Sequence, residues 1–426
     1  MSPKEIEHQI SFQLVPSYRR VPRRPLPSSG STSIPLPLEV VLCIIEAAFY
    51  ENNEPDEDLL RSCALVCRAW SGLAQKLLFS RVTLRTQSAC ESFSGAITRS
   101  TERGRALGDA VIRLRVVIDH NQPYGLSQQS FGRAFTLCPN LYELSIALYG
   151  CAAPGDDIVG VSDVTRLRRP APSFDNQILA LLKSGPAITA LQISNWSENR
   201  HTVAQLLDLW PTLKSLSISG TPPQALPDSP EPFPCALNEL RMNFQSPPSI
   251  DFMNWLLHNS RDTLRILDLE REPSTQLFDY LIDSHGHMLH SLSLPSMNDH
   301  TRALMKCDQL KELRIETPVI SGKLYKELPD TLEHLAFGLD RNTVLQPALE
   351  ALRSHGSLTS VTVNVWNGGG LHPQFSAFKI ACAYQGIGLR VTNEVQTFRA
   401  MTRGDPIPCQ FFPRMTSLDN LRMMRS

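Results

Sequence analysis

The sequence has almost no net charge, because its 41 lysines and arginines nearly balance its 42 aspartates and glutamates. Proteins that bind nucleic acids or membrane surfaces usually show a basic excess on at least one domain. We therefore expect neither nucleic acid nor a membrane among its partners. No apolar run approaches the roughly 18 residues of a transmembrane helix, and no N-terminal run is typical of a signal peptide. These absences favour a location in the cytoplasm, the nucleus or both.

Recognisable catalytic and metal-binding motifs are also absent. The ten cysteines form no C-x-x-C pair and no zinc-like cluster with histidine, which predicts free thiols in a reducing compartment. No H-E-x-x-H, phosphate-binding glycine loop or G-x-S-x-G occurs. We interpret residues 368–370 as a glycine turn, and His285, His287 and His290 as the end of a helix near Gly286. We therefore expect no catalytic residues, no cofactor and no metal.

What the sequence does contain is a strongly apolar helical segment in residues 34–84. Pro37 suits the first position of a helix, where its missing N–H costs nothing, and Glu39 favours the positive helix N-terminus. Apolar residues follow at helical spacing but cover more of the helix surface than a small core needs. A polar turn at residues 49–58 interrupts the pattern. So short a segment buries little on its own and needs a partner or an adjoining domain to cover it.

The order of residues in this segment carries a family resemblance. The positions that match are Leu36, Pro37, Glu39, Val40, Leu59, Leu60, Val66, Cys67, Arg68, Trp70, Leu73, Ala74, Leu78, Phe79 and Val82. This set resembles the F-box, except for the enlarged turn at residues 49–58. The resemblance implies binding to a Skp-type adaptor protein and, through it, to a cullin. The adaptor-binding residues that it implies are Leu36, Pro37, Val40, Ile44, Val66, Cys67 and Trp70. The alternative is an ordinary helical hairpin that caps a larger domain.

A hexad, L-x-x-L-x-φ with φ apolar, recurs after the helical segment. Its nine copies begin at Leu141, Ile188, Leu213, Leu237, Leu264, Leu289, Leu310, Leu332 and Leu358. From residue 188 onward the intervals are about 21–27 residues, close to the length of a leucine-rich repeat. Segments with helical spacing lie between the hexads, which predicts a strand, a turn and a helix in each repeat. Because one such unit cannot bury its apolar face alone, neighbouring units stack into a solenoid.

The predicted fold is therefore α/β: a small helical F-box domain followed by an irregular leucine-rich-repeat solenoid, with a parallel concave sheet and convex helices. We expect irregularity because no asparagine ladder follows the hexads. The predicted boundaries are 1–33 for a disordered N-terminal tail, 34–84 for the F-box, 85–393 for the solenoid and 394–426 for a C-terminal tail or cap. A first strand is expected in residues 111–118 and an edge strand in residues 388–392.

The concave face of the predicted solenoid is the candidate surface for binding a target. Strand alternation turns the second leucine and φ of each hexad towards the core, so the residue between them faces the concave side. Arginine and tryptophan are enriched at binding hot spots, which directs attention to such residues there and on its rim. The candidate target-binding residues are Arg241, Asp268, Glu270, Arg314, Trp196 and Trp366. Alternatively, these arginines and the carboxylates near them neutralise one another: Arg241 with Asp268 and Glu270, and Arg314 with Glu312 and Glu316.

Taken together, these patterns predict the substrate-recognition subunit of a Skp-cullin-F-box ubiquitin ligase. The F-box would dock the adaptor, and the solenoid would hold an unknown target protein. The alternative is a leucine-rich-repeat scaffold that assembles complexes without a ligase. Adaptor binding separates the two hypotheses.

Overall fold

The computed structural model of the chain describes residues 54–402 except 151–172, 198, 200, 224–230, 298–300, 319–321 and 327. Before residue 54 it describes only Val40, Ile45, Tyr50 and Glu51. The predicted N-terminal tail, residues 1–33, and most of the C-terminal segment therefore lie outside the described residues. Within the described part of the chain, no helix is both long enough and apolar enough to cross a lipid bilayer.

A single 12-stranded sheet, all parallel, organises the described residues, and each strand pairs with its neighbours in the sequence. It is preceded by a two-residue antiparallel pair, β1 (Tyr50–Glu51) and β2 (Glu54–Pro55), within the turn predicted at residues 49–58. The strands of the large sheet are β3 (Arg81–Leu84), β4 (Arg113–Asp119), β5 (Glu143–Gly150), β6 (Ala190–Ser197), β7 (Ser215–Gly220), β8 (Glu239–Phe244), β9 (Ile266–Leu269), β10 (Ser291–Leu294), β11 (Glu312–Pro318), β12 (His334–Leu339), β13 (Ser360–Val365) and β14 (Gly388–Thr392). This sheet, with helices between its strands, confirms the predicted α/β solenoid.

Helices alternate with these strands. They are α1 (Glu57–Val66), α2 (Arg68–Phe79), α3 (Gln87–Ala96), α4 (Glu102–Ala110), α5 (Gln128–Thr136), α6 (Asn176–Lys183), α7 (His201–Leu207), α8 (Ile250–Leu257), α9 (Thr275–His285), α10 (Lys323–Lys326), α11 (Gln346–Ser354), α12 (Phe375–Tyr384) and α13 (Val395–Thr402). Many begin at a side chain that accepts a hydrogen bond from the first turn, which satisfies an otherwise unbonded N–H. These N-cap residues are Asp56, Thr86, Thr101, Ser127, Asp175, Ser249 and Ser274.

The core is one continuous ribbon between the sheet and the helices. The second leucine and φ of every hexad belong to it, from Leu144 and Ile146 on β5 to Val361 and Val363 on β13. This confirms which side of each strand faces inward. The turns after the strands are tight. Gly220, for example, ends β7 with φ of 91°, and a Cβ there would collide with the backbone carbonyl of Asn195. The side chains that alternate with these core positions along each strand lie on the opposite, concave side of the sheet.

A second, smaller core holds α1 and α2 together. Its buried members are Ile45, Leu60, Cys63, Ala74 and Leu77. Ile112 and Tyr142, which precede β4 and β5, pack against this cluster and join the helical unit to the solenoid. The sheet itself begins inside the range 34–84 predicted for the F-box, because β3 pairs in register with β4. The helical unit is thus continuous with the first edge of the sheet.

Candidate functional site

The concave face divides into a more open N-terminal part and a covered C-terminal part. On β6 and β4, Gln192 and Arg115 are exposed, whereas on β9, β11 and β13 Asp268, Arg314 and Thr362 are buried. Burial on the side away from the main core requires a second layer. That layer is α13, which packs against β13 and β14 and extends its side chains to β9 and β11.

Phe398 and Arg399 anchor α13 on the concave face. Phe398 is 0 % exposed, yet it belongs to neither apolar core. Arg399 donates from Nε and Nη2 to the two carboxylate oxygens of Glu316, at 2.6 and 2.9 Å, and from Nη1 to Glu270 at 2.9 Å. A guanidinium that binds both oxygens of a carboxylate makes one of the stronger ion pairs in proteins. Burial opposes the charge of Arg399, but Glu316 and Glu270 outweigh it and raise the pKa of the guanidinium.

Arg314 links α13 to the floor of the sheet. Its Nη1 donates to the hydroxyl of Thr402 at 2.8 Å, and its Nη2 donates to the carboxylate of Asp268. Both members of this ion pair are almost completely buried. Desolvation makes the net stabilisation by such a pair small, whereas removing one partner costs about 3–5 kcal/mol. The fold therefore depends on both partners being present, even though the pair as a whole adds little stability.

Arg241 lies on β8, in register with Asp268 of β9. It forms an ion pair with Glu239 on its own strand, and Glu239 also accepts a 2.7 Å hydrogen bond from the hydroxyl of Ser215. Burial acts to lower the pKa of Arg241, but Glu239 and Asp268 raise it above its ordinary value. The guanidinium stays charged and is already engaged by carboxylates of this chain.

Glu312 is a buried carboxyl at the start of β11, two residues before Arg314. Its side chain accepts a 2.8 Å hydrogen bond from the hydroxyl of Ser291 and is 4 % exposed. Burial raises the pKa of Glu312 to about 7, although the Ser291 hydroxyl and the Arg314 guanidinium lower it. Beside it on β12, His334 lies with Nδ1 2.6 Å from the Ser360 hydroxyl. Glu312 and His334 are thus both buried, and each is hydrogen-bonded to a serine hydroxyl.

The two candidate tryptophans lie in different parts of the solenoid. Trp366, after β13, donates from its indole nitrogen to the Glu316 carbonyl at 3.1 Å and so supports the strand end that binds Arg399. Trp196 is on β6, exposed, and in register with the exposed Tyr149 of β5. The structure therefore brings Trp366, but not Trp196, close to the charged residues.

Of the candidate target-binding residues, Asp268, Glu270 and Arg314 are brought together beneath α13, with Arg241 on the neighbouring strand β8. Both arginines of the set form ion pairs with carboxylates of this chain: Arg314 with Asp268, and Arg241 with Glu239, which was not among the expected partners. The residues missed from the sequence are Phe398, Arg399 and Thr402, whereas Glu316 was expected only as a neighbour that neutralises Arg314. No periodic signal marked the three missed residues, because they lie on the helix that follows β14, outside the repeats.

The predicted adaptor-binding residues lie in three different settings. Leu36, Pro37 and Ile44 lie outside the described residues. Val40, Val66 and Cys67 are exposed, and Trp70 is half-buried against the smaller core. Leu65 was not among the predicted residues, yet it is exposed beside Val66 at the end of α1. Its position next to a predicted contact residue was the signal that could have found it.

The histidines do not form a metal centre in the structure. His285 is buried at the end of α9, where burial lowers its pKa to about 4, while His287 is exposed. Among the residues that the structure describes, no group of histidine, cysteine, aspartate and glutamate side chains could hold a metal ion. The cysteines described by the structure are free thiols, most of them buried.

In comparisons with known proteins, the chain matches no protein-family model, and no curated protein sequence matches it.

Proposed function

We propose that the chain is the substrate-recognition subunit of a Skp-cullin-F-box ubiquitin ligase. In this role α1 and α2, with the preceding segment, bind a Skp-type adaptor, and the concave side of the solenoid binds a target protein. The chain contributes no reaction chemistry. It holds the target's lysines near the transfer site and so raises their effective concentration there.

The observation that carries this proposal is the exposed apolar surface at the junction of α1 and α2. Leu65 and Val66 are 87 % and 62 % exposed, whereas Leu60 and Ala74 of the same two helices are fully buried. The helices are therefore held together by one face and leave large aliphatic side chains in solvent on another. Adjacent exposed apolar side chains are typical of a surface that a partner covers. The F-box-like residue order in residues 34–84 identifies that partner as a Skp-type adaptor.

An adaptor-binding experiment tests the proposal. We expect the purified full chain to retain a Skp-type adaptor, and the Val66→Asp variant to bind it at least about tenfold more weakly, because a carboxylate in an apolar interface is left without a partner. The matched control is Ile380→Asp, which places the same acid at an exposed aliphatic position on α12. Both variants should keep the circular dichroism spectrum of the unmodified chain, since both side chains are exposed.

Two outcomes would overturn the proposal. One is that the unmodified chain does not retain the adaptor, which would favour the scaffold alternative. The other is that Val66→Asp and Ile380→Asp retain the adaptor equally well, which would place the interface elsewhere on the chain.

A further inference from the structure

Glu270 and Glu316 form a binding site for one guanidinium, and we refer to these two residues as the arginine seat. Glu270 directly follows β9 and Glu316 is on β11, both on the concave side, and Arg399 donates to them from three N–H groups. The Glu316 contact is a two-point fork, a geometry that arginine can make and lysine cannot. The seat is therefore specific for arginine rather than for positive charge in general.

The strands around the seat carry more acid than base. Glu239 and Asp268 form ion pairs with Arg241 and Arg314, and Glu312 is largely uncharged up to about pH 7 because burial raises its pKa. The excess acid is therefore the seat itself, and the arginine that pairs with it comes from α13 and not from the sheet. The concave face alone is thus complementary to a cationic segment.

Phe398, Arg399 and Thr402 hold the segment that fills the seat. An isolated eight-residue helix is not stable in water. Within α13, the side chains that the structure buries are Phe398 and Thr402, and fully burying one phenylalanine contributes roughly 1.5–3 kcal/mol. Phe398 lies outside the continuous core, so α13 can leave the sheet without opening the core beneath it. Local release therefore costs far less than unfolding of the solenoid.

Asn364 is a buried side chain beneath α13 whose amide group α13 does not hydrogen-bond. Asn364 lies on the concave side of β13 and is 1 % exposed. Among the residues that the structure describes, neither the amide nitrogen nor the amide oxygen of Asn364 has a hydrogen-bond partner. A buried polar group left in this way costs about 1–3 kcal/mol. A peptide with a donor and an acceptor at this point would fit the face better than α13 does.

We propose that the arginine seat is a binding site for a partner protein, whose segment carries an arginine followed three residues later by a side-chain hydroxyl and replaces α13. Arg399 and Thr402 show this spacing: residues three apart share one face of a helix, so the arginine reaches Glu270 and Glu316 while the hydroxyl accepts from Arg314. The assignment of this partner as a ubiquitin-transfer target rests on the proposed function, whereas its binding does not require the adaptor.

The test measures binding of a fluorescent peptide with the sequence of residues 393–406 to the purified full chain by anisotropy. In Phe398→Ser the anchor of the chain's own helix is lost, and we expect the peptide to bind at least tenfold more tightly than to the unmodified chain. The matched control is Gln396→Ser, an exposed position on the same helix, which should bind the peptide like the unmodified chain. Circular dichroism checks that the solenoid of each variant is intact, and Arg399→Ala provides a second way to release the helix.

The specificity of the seat is tested in the released variant. Adding Glu316→Gln to Phe398→Ser should weaken peptide binding at least tenfold, and so should a peptide with lysine in place of Arg399. The proposal is overturned if release of α13 gives no gain in affinity, or if the gain survives both of these changes. Adaptor binding is measured in a separate experiment. A negative peptide-binding result would overturn the arginine seat but not the proposed function. A negative adaptor-binding result would overturn the proposed function but not the arginine seat.

Discussion

Neutralising Glu312 should change how the stability of the protein depends on pH. In the folded chain the pKa of this carboxyl is about 7, against an ordinary value of 4.5, mainly because burial disfavours the charged form. The folded state therefore holds a proton between these values that the unfolded state has lost. Raising the pH through this window favours unfolding. The stabilising contribution of Glu312 is complete below about pH 4.5 and is lost as the pH rises through about 7.

The magnitude follows from the size of the shift. Each pKa unit corresponds to 1.36 kcal/mol, so a shift of this size makes the ionised Glu312 cost about 3 kcal/mol of folding free energy above pH 7. The groups that face it from its own and neighbouring strands are Ser291, Arg314 and His334. In Glu312→Gln, the amide oxygen can still accept the Ser291 hydrogen bond and carries no charge at any pH. The variant should match the unmodified chain at about pH 4 and exceed its stability by about 3 kcal/mol at about pH 8.

Urea unfolding followed by circular dichroism at several pH values would measure this difference. Because other groups also titrate, the decisive quantity is the difference between the variant and the unmodified chain at each pH. Glu350→Gln, at an exposed glutamate on α11, controls for the loss of one surface carboxylate. A Glu312→Gln difference that stays constant from pH 5 to pH 8 would refute the argument from burial.

Two further changes test the packing described above. Arg314→Ala should lower the free energy of unfolding by about 3–5 kcal/mol, because Asp268 loses its buried cation. The double variant Arg314→Met/Asp268→Leu should recover most of that loss. Urea unfolding measures both variants, and equal losses in the two would contradict the ion-pair argument. Gly220→Ala should destabilise the protein, since a Cβ collides with the Asn195 carbonyl, whereas Gly72→Ala in the exposed interior of α2 should stabilise it by about 1 kcal/mol. Thermal midpoints that shift in the same direction for both alanines would contradict this contrast.

Much of the solenoid could be predicted because its signals are local and repeated. The spacing of Leu144 and Ile146, repeated in the other hexads, correctly indicated which side of each strand faces the core. The edge strand predicted at residues 388–392 coincides with β14. In contrast, β3 was assigned to the helical segment, because four residues with one fully buried side chain give too short a pattern to mark a strand.

The covered part of the concave face could not be predicted, because it depends on contacts between distant residues. Nothing near Glu270 in the sequence indicates that it binds Arg399, and Glu316 was expected to neutralise Arg314 rather than to bind Arg399. The segment 394–426 was expected to form a tail or cap at the last repeat. Its helical part, α13, packs there but also reaches β9 and β11 through two polar side chains. Charge pairing of this kind leaves no periodic pattern in the sequence.

The separation of Glu270 and Arg399 along the sequence also sets an order in time. Glu270 and Arg399 are separated by 129 positions. At roughly 5–20 residues per second, synthesis of that interval takes about 6–26 seconds. The strands of a solenoid can stack as they emerge, because each contacts mainly its neighbours. During those seconds the growing sheet presents its acidic face without α13, so an arginine-bearing segment of another chain meets no intramolecular competitor until residue 399 has been made.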